Sequence, residues 1–314
     1  MRVLLTGGNG LLGSAIRRLA PVLTPENELL SPSRPEVDLL CVDSVEGFVR
    51  VTRPDAVIHC AGKVGGILAN VNDPVGYLFE NTQLNLNVIR TCARVGVRKL
   101  AYIGSSCMYP KDLNRPLAEN DLLDGRPEPT NEGYALAKIV GAKLCEYYAR
   151  QHGLHYRTLI PCNLYGPGER FDAVRSHLVA ASLVKSHAAK TSSQPAIEIW
   201  GDGSSRREFL YVDDFASFVL QSLERLETFP DYLNTGFGED FSVLDYYKIA
   251  MQVTGYEGKF TFDMNKPSGM ASKLLDSTKA SAYGWQPTTS HIEGMARTYE
   301  YYLSTLNSTG RQAA

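Results

Sequence analysis

The chain has 314 residues, of which 44% are apolar, 21% charged and 10% aromatic, and its formal net charge is -2. That composition fits a water-soluble globular protein, one compact domain carrying a smaller lobe, and it excludes a disordered or low-complexity chain. Near-balanced charge with no clustered Lys/Arg face argues against nucleic acid as a partner, and no apolar run approaches the ~18 residues of a membrane span.

The N-terminal MRVLLTGGNG lacks the three parts of a secretory signal, so a cytoplasmic location is expected. RVLLT (2–6) is predicted as a strand that runs into glycines and then into LLGSAIRRLAPVL, where apolar residues recur at helical spacing. NELL (27–30) is a second strand. Asp43 is the expected cap of the helix SVEGFVRVT, Pro54 marks its end, and DAVIHC (55–60) is a third strand. A long helix from about Pro74 to Val95 leads to KLAYIG (99–104), and a helix from about Gly133 to Gln151 leads to YRTLIP (156–161). Such regular alternation predicts an α/β fold, a Rossmann-type doubly wound parallel sheet with a smaller C-terminal substrate lobe. Beyond Pro161 the pattern loosens: a helix near 174–187, strands AIEIW (196–200) and REFLYV (207–212), a helix after Asp213 and another within 242–254. The expected division is 1–160, taking in about 213–238, for the cofactor, with 161–212 and 239–314 for the substrate. Six cysteines (Cys41, Cys60, Cys92, Cys107, Cys145, Cys162) form no CxxC pair, which predicts reduced thiols and no metal site.

TGGNGLLGS (6–14) carries Gly7, Gly10 and Gly13 between a predicted strand and a predicted helix. A turn without side chains lets backbone N–H groups approach a pyrophosphate at the positive end of the helix. Gly8, Gly10 and Gly13 also satisfy GxGxxG, so spacing does not choose between dinucleotide-binding subfamilies. No acid ends the second strand, and Ser33-Arg34 follow it; an arginine there favours a 2'-phosphate, hence NADP(H).

GSSCMYP (104–110) places two hydroxyls and a thiol at a strand end, and YALAK places Tyr134 and Lys138 one helical turn apart about 30 residues later. An adjacent ammonium favours the phenolate and is expected to lower the tyrosine pKa, and a tyrosine so tuned exchanges a proton with a carbinol oxygen. Of 17 tyrosines only Tyr134 has lysine four residues on. Together with Ser105, the pair resembles the extended short-chain dehydrogenases/reductases.

CAGKVGGILAN, GSSCMYPK, EPTNEGYALAKIVGAKLCEYY, PCNLYGP, the SHLVAA containing His177, WGDGSSRREFLYVDD and SKLLD occur in order through nearly the whole chain. They narrow the resemblance to the GDP-4-keto-6-deoxy-D-mannose 3,5-epimerase/4-reductases, the GDP-L-fucose synthases. The resemblance implies that Cys107 and His177 are the acid/base pair for inversion at C3 and C5, with Cys107 favoured as base. Thiol and imidazole have ordinary pKa values near 8.5 and 6.5, so both can exchange protons near neutrality. It further implies that Ser105, Tyr134 and Lys138 act at the C4 oxygen. Cofactor contacts are implied at Leu11, Leu12, Lys138, Pro161, Asn163, Leu164 and His177 besides the glycines and Arg34, and GDP-sugar contacts at Asn163, Lys185, Trp200, Arg207 and Lys273. A homodimer is expected through the helices near 74–95 and 133–151.

Two departures from the family pattern stand out. Gly8-Asn9 replaces a more basic pair, so NADPH preference rests on Arg34, and Lys185 stands where arginine is usual. Three alternatives stay open: a reductase or epimerase of a related GDP-4-keto sugar such as a heptose, a nucleotide-sugar 4-epimerase that retains NAD, and a non-catalytic NADP-responsive protein.

Overall fold

The computed structural model describes residues 1–171, 177–265 and 273–312. The first half alternates strand and helix: β1 (Arg2–Thr6), α1 (Leu11–Leu23), β2 (Glu28–Leu30), α2 (Val42–Thr52), β3 (Ala56–His59), α3 (Ile67–Asn72), α4 (Pro74–Val95), β4 (Lys99–Ile103), α5 (Glu132–His152) and β5 (His155–Pro161). Apart from the edge strand β2, the strands are short, largely apolar runs buried on both faces, as a parallel sheet with helices on each side requires.

The second half comprises β6 (Asn163–Tyr165), α6 (Leu178–Thr191), β7 (Ala196–Trp200), β8 (Arg206–Arg207), β9 (Phe209–Tyr211), α7 (Val212–Ser222), β10 (Tyr232–Thr235), β11 (Phe241–Ser242), α8 (Val243–Thr254), β12 (Lys259–Asp263), α9 (Thr278–Ser281) and α10 (His291–Gln312). β10 returns to the main sheet, whose order is β10-β5-β4-β3-β1-β2 with every pairing parallel. All carboxyl ends therefore open on one edge. The order reverses at β1, and the crevice between the ends of β1 and β3 is where such sheets bind ligands. Helices α1 and α7 pack together, as do α2, α4 and α5, and Leu5, Ile16, Ile58, Leu100, Leu159 and Phe215 fill the core beneath them. A second lobe rests on the ladders β6-β9, β8-β11 and β7-β12, with α6, α8 and α10 packed around Val179, Leu183, Tyr246 and Met295.

Three expectations need correction. Asp43 is not the cap of α2: Cys41 holds that position, and Asp43 lies in the first turn, where its charge still favours the helix N-terminus. The helix expected near 174–187 runs from Leu178 to Thr191, and positions 174–176 lie outside the described residues. The strand expected over 207–212 is broken at Glu208, whose 1% exposed carboxylate accepts backbone amides from two other segments. The chain consequently changes partners there, from β11 before Glu208 to β6 after it.

Candidate active site

At the end of β1, Gly7 adopts φ +78°, and a Cβ there would lie 2.7 Å from the Ala61 amide nitrogen. A Cβ on Gly13 would lie 2.1 Å from the Gly7 carbonyl oxygen. Both glycines are therefore required by the protein's own packing. Gly10 is different: its Cβ would meet nothing nearer than 3.4 Å, and its φ of -81° suits any residue. Gly10 caps α1 without a side-chain hydrogen bond, and no acid occupies the first turn, so the helix offers bare N–H groups to an anion. Arg34 is exposed in the loop after β2. Two residues that sequence reasoning missed join it: Arg17, which donates to Asn9 Oδ1 at 3.0 Å beside Gly8, and Ser31, whose hydroxyl is buried without a partner among the described residues.

This cradle fits a dinucleotide, and a pair of variants tests the fit. Gly13→Ala should unfold the turn, lowering stability and cofactor affinity together. Gly10→Ala should keep the melting temperature within a few degrees while weakening NADPH binding at least tenfold by fluorescence titration, since only the ligand needs that surface bare.

At the end of β4, Ser105 caps a short turn over Ser106–Met108, and its hydroxyl accepts the Cys107 amide at 3.2 Å. The Cys107 thiol receives Asn131 Nδ2 at 3.2 Å and Lys273 Nζ at 3.5 Å. Burial alone would push this thiol up; the Lys273 charge and the bonds from Ser105, Lys273 and Asn131 outweigh it and hold the thiol below its ordinary value. Asn131 is the N-cap of α5, yet its side chain makes no cap bond and serves the sulfur instead. Its other terminal atom, Oδ1, is buried without a partner among the described residues.

Tyr134 and Lys138 follow on α5. Lys138 Nζ donates to the Ile103 carbonyl at 2.8 Å and lies 5.8 Å from the Tyr134 ring centre and 5.1 Å from that of Tyr102. Burial brings Lys138 down to about 8, with Cys60 acting the other way. The expectation that Lys138 depresses Tyr134 is not met in the free protein: burial, then the charge of Cys107, raises the phenol, opposed by a hydrogen bond with Ser105. The phenol is thus held protonated, the state a proton donor needs. Ser105 links the two groups, since it bonds both Cys107 and Tyr134.

Beneath the pair lies a buried polar chain. Asn85 Nδ2 donates to the Tyr102 hydroxyl and to the Ala137 carbonyl, both at 3.0 Å, which leaves Asn85 Oδ1 to accept from His59 Nε2. His59 Nδ1 then accepts from Thr6 Oγ1 at 2.7 Å. Burial keeps His59 neutral, at about 3. Satisfied throughout, this chain ties α5 to β1, β3, α4 and β4 and fixes the helix that carries Tyr134 and Lys138.

The expected nucleotide contacts lie in the second lobe. Lys185 donates to the Glu198 carbonyl at 3.1 Å and sits 5.7 Å from the exposed Trp200 ring, so these two come together. Asn163 donates to the Glu208 carbonyl at 3.0 Å, and Arg207, whose burial lowers its pKa, donates to the Arg206 carbonyl. Pro161 and Leu164 sit at the carboxyl end of β5 and in β6. His177 is the N-cap of α6, with burial lowering its pKa; none of the contacts described for the Cys107 cluster reaches it.

A glycine turn at a topological switch point, with a strand-end serine facing a Tyr/Lys pair, defines an NAD(P)-dependent enzyme of the extended short-chain dehydrogenase/reductase type. Residues 3–236 match the NAD dependent epimerase/dehydratase family, and the chain belongs to that family. It is 44% identical over 303 residues, 96% of each chain, to the GDP-L-fucose synthase of Azorhizobium caulinodans. It is 42% identical over 309 residues to the GDP-L-colitose synthase of Yersinia pseudotuberculosis, covering 98% of this chain and all of the relative. A solved structure of a GDP-mannoheptose C4 reductase from Campylobacter jejuni with NADP bound superposes with a TM-score of 0.88 at 29% identity, covering 96% of this chain and 98% of that one.

Proposed function

We propose that the chain converts GDP-4-keto-6-deoxy-D-mannose to GDP-L-fucose, by epimerisation at C3 and C5 followed by NADPH-dependent reduction at C4, as a homodimer in the cytoplasm. The observation that carries the reading is the Cys107 thiol, held by Lys273 and Asn131 two residues from the serine that bonds Tyr134. A plain ketoreductase has no use for a stabilised thiolate at that position.

The carbonyl of a 4-keto sugar acidifies C3 and C5. Cys107 takes the proton from one face, and His177 returns one from the other. Inversion needs both. His177 would regain basicity beside the substrate diphosphate, since an adjacent anion favours the imidazolium. Ser105 and Tyr134 hold the C4 oxygen while it carries the enolate charge, and Tyr134 donates its proton to that oxygen in the reduction. Gly7, Gly10, Leu11, Leu12 and Gly13, with Arg34, Arg17 and Ser31 toward the 2'-phosphate, would hold NADPH, which supplies the hydride for C4. Lys185 and Trp200 would take the nucleotide and Arg207 the diphosphate. In this arrangement residues 1–160 with about 213–238 serve the cofactor and the remainder serves the sugar nucleotide.

A second reading, an epimerase/reductase for another GDP-keto sugar, is favoured by the 42% identity to a GDP-L-colitose synthase. Incubation in deuterated water tests both halves of the first reading. GDP-4-keto-6-deoxymannose should gain deuterium at C3 and C5 without cofactor, and added NADPH should be oxidised in step with product. No exchange with the wild-type protein would remove the epimerase assignment; exchange confined to C5 would favour the second reading.

The dimer rests on α4 and α5, which leave Val75, Leu78, Phe79, Leu136 and Val140 exposed, Phe79 by 64%. Burying such a face is favourable by about 25 cal/mol per Å². Phe79→Glu should convert the dimer to monomer in sedimentation at micromolar concentration, and a monomeric wild type would remove this part of the proposal.

A further inference from the structure

Glu208 is a buried titratable group that the chemistry above does not use. Its carboxylate is 1% exposed and pairs with no lysine or arginine among the described residues. It accepts backbone amides instead: Gly238 at 2.9 Å through Oε1, Leu275 at 3.0 Å through Oε2, and Phe237. Burying a carboxylate against neutral donors alone is costly, and packing at this position would be cheaper with a neutral side chain.

The geometry points to a reason. Leu275 stands two residues after Lys273, the cation on the Cys107 sulfur. The segment also bridges to Leu117, with Leu117 N donating to the Leu274 carbonyl at 2.9 Å and Asp276 N to the Leu117 carbonyl at 2.9 Å. The Leu117 bridge sets the segment's register along one side; Glu208 anchors the amide of Leu275 from the other. We propose that Glu208 is a positioning residue that clasps the Leu275 amide and thereby places the Lys273 ammonium against the Cys107 thiol. Four separate parts of the chain are joined in this way: the β8-β9 junction that follows Arg207, the turn of Phe237 and Gly238 after β10, the segment of Lys273 and Leu275 before α9, and the strand end that carries the thiol. Burial pushes the Glu208 carboxyl up to about 7, and the bonds from Gly238, Leu275 and Phe237, which favour its charged form, act the other way.

The inference deepens the acid–base role assigned to Cys107, but its test needs no sugar. The 314-residue chain is alkylated with iodoacetamide across a pH series, and modification of the Cys107 peptide is followed by mass spectrometry; the groups around that sulfur are Lys273, Asn131, Ser105 and Tyr134. Lys273→Met should raise the Cys107 midpoint by about one pH unit, the effect of losing one adjacent cation. Glu208→Gln should raise it by a similar amount, because its NH2 group faces an amide donor and releases the segment. In the Lys273→Met background Glu208→Gln should add nothing further. An unchanged midpoint in Glu208→Gln, or an equal extra rise on top of Lys273→Met, overturns the proposal. Should the Gln variant fold poorly, Glu208→Asp, which keeps the charge but cannot span both amides, should give a smaller rise in the same direction; no rise there counts against the proposal equally.

Discussion

Cys107→Ser is expected to lower deuterium exchange at C3 and C5 by about 10²–10⁴-fold, the usual contribution of a positioned general base, while carbonyl reduction at C4 continues. The side chains are nearly isosteric, so Asn131 and Lys273 keep a partner. What is lost is ionisation: a serine hydroxyl holds its proton far above any pH at which Lys273 could draw it off. Ser105, Tyr134 and Lys138 are untouched, so NADPH is still consumed on the unepimerised ketone. Exchange measured by mass spectrometry and NADPH oxidation measured by absorbance separate the two activities. Exchange within tenfold of wild type would exclude Cys107 as the base.

Tyr134→Phe should produce the opposite split. Reduction should fall by about 10²–10⁴-fold, because no other described group beside Ser105 is held protonated to supply the C4 oxygen. Exchange should fall less, since Ser105 can still carry part of the enolate charge. NADPH affinity should stay close to wild type, because the phenylalanine ring preserves the packing and Lys138 keeps its bond to the Ile103 carbonyl. In wild type, reduction should also decline as the pH climbs through about 8, where Lys138 gives up its proton. Reduction by Tyr134→Phe within tenfold of wild type would exclude the phenol as donor. Taken together, the two variants assign each activity to its own group within one pocket.

The local chemistry was legible because it is written in short stretches. The glycine turn, GSSC at a strand end and the Tyr/Lys spacing each lie within a few residues, where backbone geometry alone decides which side chains are neighbours. α4 begins and ends where the sequence places it, with Pro74 in its first turn and Gly96 in the left-handed region closing it. Other readings failed for identifiable reasons. Asp43 has the chemistry of a cap, but the chain turns into the helix two residues earlier, at Cys41. REFLYV alternates like one strand, and only its surroundings break it, because Glu208 is drawn to amides of distant segments. Asn131 gives no signal in the sequence, because its service to the sulfur depends on where the turn after β4 comes to rest.

By itself the sequence determined the alternation of strands and helices, the glycine turn and the strand-end serine with the Tyr/Lys spacing after it, since each of these depends on periodicity or on residues near one another in the chain. Only the tertiary structure decided the environment that tunes those groups. Lys273 reaches Cys107 across 166 residues, and Tyr134 is raised rather than lowered because of how deeply α5 is buried. Electrostatic coupling falls off with distance in space and grows with the exclusion of water, and neither quantity is written in the order of the residues.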